Sequence, residues 1–319
     1  MPVLLSPSMA SQVAWSRRGQ LPGSTYGTCM YNLYDARLGD VGPPVLVVWL
    51  HGADMGDLSC WHMYDIRQRL RRPAYFFLPR NPKTSTSGLL FEWTVCYTNA
   101  QNKDGLGWIY GQPHAKLLQD LCRQIELLSK ELCATSVYAM GFSMGGFGVL
   151  QLAAHAPHVF DAVVSAAGYV QGTLARADEG YHAPQPQARQ IFDSWCEAHC
   201  HRLAKVGVVV FVHAPADTYS PFGDVLAIVA RIRDANGRVQ LVEVDDAMAE
   251  SDSNYREVKP RRPTFHRYFH YTFTLESSTT VLYERIEAFL GASILCMRAY
   301  VRALDRSGSL HVRVCRVSV

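Results

Sequence analysis

The 319-residue sequence predicts an α/β domain built on a mostly parallel, doubly wound sheet with flanking helices. Three observations carry that prediction. Continuous apolar runs, such as Val45-Leu46-Val47-Val48-Trp49-Leu50 and the stronger one over 206–213, read as strands buried on both faces. Segments with apolar residues at helical spacing alternate with these runs through the middle of the chain. The residues able to do chemistry sit just after such runs, beyond positions 50, 140 and 213, and parallel sheets collect their sites at the carboxyl ends of their strands.

Taken in order, residues 1–24 read as a disordered N-terminal segment. Residues 25–34 are rich in aromatic and β-branched types and predict a strand. A turn with Gly39 and Gly42 leads into the run over 45–50, and a helix is predicted over 60–70. The strand over 74–78 ends at Pro79. Residues 80–113 show no clear period and carry Trp93, Tyr97, Trp108 and Tyr110, a surface loop tied down by aromatics or one wall of a substrate pocket. A helix over 114–133 (Leu117, Leu118, Leu121, Ile125, Leu128, Leu132) precedes the strand that leads to Ser143, and a further helix spans 147–154. A strand over 160–167 opens a polar insert over 168–205 with one helix over 187–204. The strand over 206–213, a helix over 222–235 closed by Asn236-Gly237, a strand over 239–244 and a last helix over 279–290 complete the domain. That places one α/β domain over 25–291, with a C-terminal extension over 292–319 of unassigned structure.

Composition narrows the class. Hydrophobic residues make up 48% of the chain, enough for one sizeable core. A net charge of +3 gives no argument for nucleic acid or an anionic membrane surface, and no apolar run approaches the roughly 18 residues a bilayer span needs. The nine cysteines are odd in number and form no framework, and no Asn-x-Ser/Thr acceptor occurs. Both facts fit a cytoplasmic setting with buried free thiols; residues 1–23, which lack Asp and Glu, leave an organellar transit segment as the alternative.

The chemical signal is Gly141-Phe142-Ser143-Met144-Gly145, set between an apolar strand and an apolar helix. On such a turn a serine hydroxyl stands above the sheet edge, the glycines leave room for neighbouring backbone, and the helix points its positive end at the serine. A weak hydroxyl nucleophile needs a base, and the base needs an orienting carboxylate. Asp217 follows the strand ending at His213; Asp224, inside a predicted helix, is the fallback. His266 and His270 both follow the last strand and precede the last helix. The amide of Met144 and one from the loop after Leu50, best placed at Ala53, suit an oxyanion.

These residues resemble the α/β-hydrolase superfamily, among its esterase, phospholipase/carboxylesterase-like and dienelactone-hydrolase-like branches. The resemblance rests on His51-Gly52-Ala53, Gly141-Phe142-Ser143-Met144-Gly145-Gly146, Asp217 within His213-Ala214-Pro215-Ala216-Asp217, and His270-Tyr271-Thr272-Phe273-Thr274 with Leu282-Tyr283. It favours His270 over His266, since related esterases have a closing His-x-Ser/Thr-Trp-Thr pattern. Asp54 stands where many relatives have Gly, Phe273 replaces the Trp, and residues 245–265 resemble an insertion. The resemblance implies a cofactor-free serine hydrolase acting on a small acyl ester or thioester, with catalytic Ser143, Asp217 and His270 and oxyanion donors Ala53 and Met144. The insert over 168–205 stands where relatives carry a cap, which implies a small partial lid, and Trp93, Trp108 and Tyr169 are candidates to line the substrate pocket. A peptidase or amidase on the same triad, and an inactive binding protein of the same fold, are the alternatives. Cys196-Glu197-Ala198-His199-Cys200-His201 has metal-ligand residue types but no further ligands at sensible spacing, so no metal is expected. The basic run from Arg256 to Arg267 reads as a solvated loop.

Overall fold

The computed structural model describes residues 14–20, 30–35, 37, 42–52, 73–79, 94–97, 109–113, 115–173, 186–215, 217 and 220–244. In chain order the elements are β1 (Ala14–Gln20), β2 (Met30–Asp35), β3 (Val45–Leu50), β4 (Ala74–Pro79), β5 (Thr94–Tyr97), β6 (Ile109–Pro113), α1 (Ala115–Glu131), β7 (Ser136–Phe142) and α2 (Met144–His155). They continue with β8 (Ala162–Ala166), α3 (Pro186–Leu203), β9 (Val209–His213), α4 (Phe222–Asp234) and β10 (Val239–Glu243).

Eight strands form one sheet in the order β1-β2-β4-β3-β7-β8-β9-β10. The six from β4 to β10 run parallel, and β2 runs antiparallel to both of its neighbours, β4 and β1. The central strands β3, β4, β7, β8 and β9 are largely apolar on both faces because both faces are buried. In β3, Leu46, Val48 and Leu50 enter the core shared with the described helices, while Val45, Val47 and Trp49 enter a second core on the opposite face. All six are at most 2% exposed. Each such side chain contributes about 1.5–3 kcal/mol on burial, so a continuous apolar run is the pattern this position demands.

The four helices share the first core. Helix α1 buries Leu117, Leu118, Leu121, Ile125 and Leu128 and exposes Gln119, Arg123 and Lys130, the stripe its 3.6-residue period implies. Helix α2 differs: every residue from Met144 to Ala154 is buried. It lies on β7 and β8, between α1 and α3, and β5 also packs on it. A helix enclosed on all sides should be apolar nearly all round, and Gln151 is the one polar side chain among its buried residues. Helix α4 ends in a Schellman turn, with Asn236 at φ 59°, the Gly237 amide donating to Ile232 O and the Asn236 amide to Arg233 O.

Several expectations are revised. Residues 14–20, read as disordered, form edge strand β1 on β2. An edge strand draws on backbone pairing and needs no apolar face, and Gly19 lets the Tyr31 ring lie against its backbone. Within 80–113, read as loop, β5 and β6 pair as an antiparallel ribbon. The helix over 147–154 begins earlier, at Met144, because packing overrides the low propensity of Gly145 and Gly146. The helix of the insert is not a cap: α3 places Phe192, Trp195, Cys196, Cys200 and Leu203 in the common core. The helices expected over 60–70 and 279–290 and the extension over 292–319 lie outside the described residues. Among the described residues, no helix is long and apolar enough to cross a membrane.

Candidate active site

The connections out of β3 and β7 leave in opposite directions. The chain goes from β3 to β4 on one side, and from β7 to β8 on the other. Between two such strands the loops diverge and leave a crevice at their carboxyl ends. In register, Leu50 pairs with Gly141, so His51 and Gly52 lie beside Phe142 and Ser143. The predicted nucleophile therefore stands at the point where this sheet topology opens a site.

Ser143 occupies a strained turn. Its φ is 54° and its ψ −116°, outside the broad regions that L-residues populate. The conformation persists because its surroundings fix it. The Ser143 amide donates to Ala166 O at 2.8 Å, and its carbonyl accepts the first intrahelical bond of α2, from Phe147 at 3.1 Å. Two glycines make the turn possible. A Cβ on Gly141 would overlap Gly145 O, and one on Gly145 would overlap Leu50 O and come within 2.7 Å of His51 O. Helix α2 thus rests directly on the backbone at the end of β3. A third glycine, Gly146, faces the Cα of Gly168, where a Cβ would come within 2.8 Å. Buried Ser165 on β8 donates to Gly146 O at 3.0 Å and holds the first turn of α2 from below.

The amide of Met144 is the first of the helix, at the end where backbone N–H groups lie before the intrahelical ladder begins. Those groups and the helix dipole favour negative charge beside Ser143. On the β3 side, His51 is buried and its Nδ1–H donates to Gly52 O at 2.7 Å, which fixes its tautomer and the start of the next loop. Ala53 lies just beyond the described residues.

Asp217 lies past the end of β9, 5% exposed overall with its side chain fully enclosed. A turn places it: Pro215 follows Ala214, and the Asp217 amide donates to Ala214 O at 3.0 Å. Its Oδ1 accepts the Ser220 amide at 3.1 Å, and its Oδ2 lies 3.6 Å from His213 Nε2. An enclosed carboxylate needs such partners, because desolvation without them is expensive. His213, also buried, is not placed to serve as the base. Its Nε2–H donates to Ser220 O at 2.6 Å, a bond that ties the ring to the turn. Strand β10 runs parallel to β9, and the Val244 amide donates to His213 O. The chain therefore leaves β10 at the same end of the sheet as Asp217. Residues 245–319, with His266 and His270, follow from there and lie outside the described residues.

The remaining candidates separate. Tyr169 is 5% exposed, with its ring 5.5 Å from that of Phe147 in the helical core. Trp93 and Trp108 lie outside the described residues. Asp224, the fallback acid, is in the first turn of α4, accepts from Thr173 Oγ1 at 3.1 Å and lies 3.8 Å from Arg189. Burial pushes its carboxyl above the usual range, against the Thr173 bond and Arg189. It belongs to a polar cluster between α3 and α4 and not to the serine turn. Cys196 and Cys200 are buried on α3, and His199 stacks on Trp195 and bonds its carbonyl. Among the described residues no group of side chains could hold a metal ion. Cys122 is buried too, its thiol pushed up to about 12 by desolvation, whereas Cys133 is exposed, contrary to the expectation of buried thiols.

Sequence reasoning missed His213, Ser165 and Ser220. The Asp217-x-x-Ser220 spacing before a helix was the available hint, since a carboxylate often accepts an amide a few residues on.

Comparison with known proteins agrees with this geometry. Residues 116–237, from α1 through α4, match the Esterase family model. No curated protein matches the chain. Among solved structures, it is similar to a thermostable esterase (18% identity, TM-score 0.54), covering 87% of this chain and 63% of that one. It is also similar to brefeldin A esterase, a bacterial homologue of human hormone-sensitive lipase (13% identity, TM-score 0.55, 92% of this chain and 80% of that one). A third is Est1E from Butyrivibrio proteoclasticus (14% identity, TM-score 0.50, 88% and 100%). The chain spans less than two thirds of the length of the thermostable esterase. At these identities the likeness establishes the fold.

Proposed function

We propose that this chain is a serine hydrolase of the α/β-hydrolase superfamily that cleaves carboxylic esters or thioesters of small acyl substrates through an acyl-enzyme on Ser143. The observation that carries the reading is the conformation of Ser143: φ 54° at the end of a central strand, at the head of a fully buried helix, at the switch point of the sheet. Strain of this kind is sustained at functional sites. The match of residues 116–237 to an esterase family supports the same chemistry.

In this mechanism His270, oriented by Asp217, takes the proton from Ser143 Oγ as the hydroxyl attacks the acyl carbon. The developing oxyanion is held by the amides of Met144 and Ala53, each contributing on the order of 3 kcal/mol to lowering the barrier. The leaving group takes its proton from His270. Water activated by the same imidazole then releases the acid and regenerates Ser143. Asp217 keeps the imidazole in the reactive tautomer and supports its positive charge. No cofactor enters.

The test is hydrolysis of short-chain aryl esters, the matching thioesters and the matching anilides by the wild type and Ser143→Ala. Turnover of esters or thioesters, lost in Ser143→Ala, is the expected result. Preferential cleavage of the anilides would identify an amidase instead, and turnover that survives in Ser143→Ala would overturn the mechanism.

A further inference from the structure

One side chain connects the acid turn to the nucleophile turn. Ser220 is 1% exposed and makes three hydrogen bonds, each to a different part of the site. Its amide donates to Asp217 Oδ1 at 3.1 Å. Its carbonyl accepts His213 Nε2–H at 2.6 Å. Its hydroxyl donates to Ala167 O at 3.0 Å, across 53 positions of sequence. Ala167 follows directly on Ala166, whose carbonyl receives the Ser143 amide. Ala167 itself has φ 46°, a conformation uncommon for alanine, and its amide donates to Val212 O at 2.8 Å. The path from Asp217 to Ser143 is therefore short and continuous: carboxylate, Ser220, the Ala166-Ala167 peptide, Ser143.

The physical consequence is one of register. β8 lies between β7, which carries Ser143, and β9, which leads to Asp217. The strand ladders fix the strands, and bonds such as these fix the turns beyond them. Without the Ser220 hydroxyl, the acid turn keeps its internal bonds to His213 and Asp217 and loses this tie to Ala167. The carboxylate would stay intact and buried but could drift relative to the serine. His213 faces the Asp217 carboxylate, its Nε2 3.6 Å from Oδ2.

We propose that Ser220 is a positioning residue for the reaction at Ser143: its hydroxyl, bonded to Ala167 O, sets where the Asp217 carboxylate stands relative to the nucleophile. Ser220 touches no reacting atom and acts through Asp217. The proposal rests on the serine-hydrolase reading above and can fail separately from it.

The test is a double-mutant cycle on the full chain with a short-chain aryl ester. Ser220→Ala should lower kcat about 10- to 100-fold, the scale of a loss from misplacement by about 1 Å, with KM within about twofold. Asp217→Asn should lower kcat about 10⁴-fold, as removal of the orienting carboxylate does elsewhere. In the Asp217→Asn background, Ser220→Ala should cost less than about twofold more, because residues acting through one another are not additive. Ser220→Thr, which keeps the hydroxyl, should recover most of the Ser220→Ala loss. Equal losses in both backgrounds, or an unchanged kcat in Ser220→Ala, would overturn the positioning role while leaving the nucleophile untouched. Should Ser220→Ala prove poorly folded, Ser220→Thr and Ser220→Cys keep the comparison; a Cys variant as active as wild type counts against a role for this hydroxyl. Full activity in Ser143→Ala or Asp217→Asn would instead defeat the serine-hydrolase reading itself.

Discussion

Helix α2 meets strand β3 through a glycine, and replacing Gly145 by alanine should expose how tightly the serine turn is built. The added methyl would overlap Leu50 O and stand 2.7 Å from His51 O. Comfortable carbon–oxygen separation is about 3.5 Å, so relief needs a movement on the order of 1 Å. Both obstacles are backbone, and no side-chain rotation can clear them. The helix cannot easily retreat either, since every residue from Met144 to Ala154 is buried. Overpacking of this kind costs typically 1–3 kcal/mol; with two backbone oxygens in the way, about 3 kcal/mol is the expectation. That outweighs the gain of up to about 1 kcal/mol from replacing glycine in a helix. For a chain of 319 residues, with an unfolding entropy of about 2.1 cal/mol/K per residue, the loss lowers Tm by roughly 4–5 °C. Displacing Ser143 by about 1 Å should also reduce kcat about 10²-fold. Gly223 is the internal control. Like Gly145 it is the second residue of its helix, but nothing lies within 4 Å of the position its Cβ would take. Gly223→Ala should leave Tm unchanged or raise it by a few degrees. Thermal denaturation by circular dichroism, with ester hydrolysis alongside, compares the two. Equal melting temperatures for Gly145→Ala and Gly223→Ala would refute the packing argument.

Two further outcomes follow from local geometry. Ser143→Gly should be inactive yet more stable than Ser143→Ala by about 1 kcal/mol, since relief of an unfavourable φ of about 1–3 kcal/mol exceeds the added chain entropy of glycine of about 0.5–1 kcal/mol; a less stable Gly variant in urea denaturation would contradict the strain. For Asp224, burial raises the folded-state carboxyl above its unfolded value, so the folded form retains a proton that the unfolded form has lost, and stability falls as pH climbs above the ordinary carboxylate range. Asp224→Asn should remove that fall, raise Tm at neutral pH and leave ester turnover intact; melting curves from pH 4 to 8 with an unchanged slope would count against it, and lost turnover would make Asp224 part of the site.

The parts of this fold legible in the sequence are those whose environment is uniform along the segment. β3 is buried on both faces, so its six apolar residues stand out and its limits agree with expectation. Helix α1 has one buried and one exposed face, and its stripe is correspondingly clear. Elements held by tertiary contact were harder to see. β1 depends on backbone pairing with β2, and Gly145 and Gly146 hide the first turn of α2, which depends on enclosure. The insert stands where relatives carry a cap, yet α3 turns Trp195 and Phe192 inward. At the site, Ser143 was legible because its turn demands small residues at fixed spacing. Ser220 was not, because its hydroxyl meets a backbone carbonyl 53 positions away, and a carbonyl leaves no mark on residue identity.

The most direct test of the account is covalent. A fluorophosphonate reacts only with a serine hydroxyl that is activated and faces an oxyanion site. Incubation of the full chain with such a probe, followed by intact-mass and peptide analysis, should show one adduct per chain, located on Ser143 and lost in Ser143→Ala. An unmodified wild-type chain, or an adduct that persists in Ser143→Ala, would contradict the assignment of Ser143 as the nucleophile.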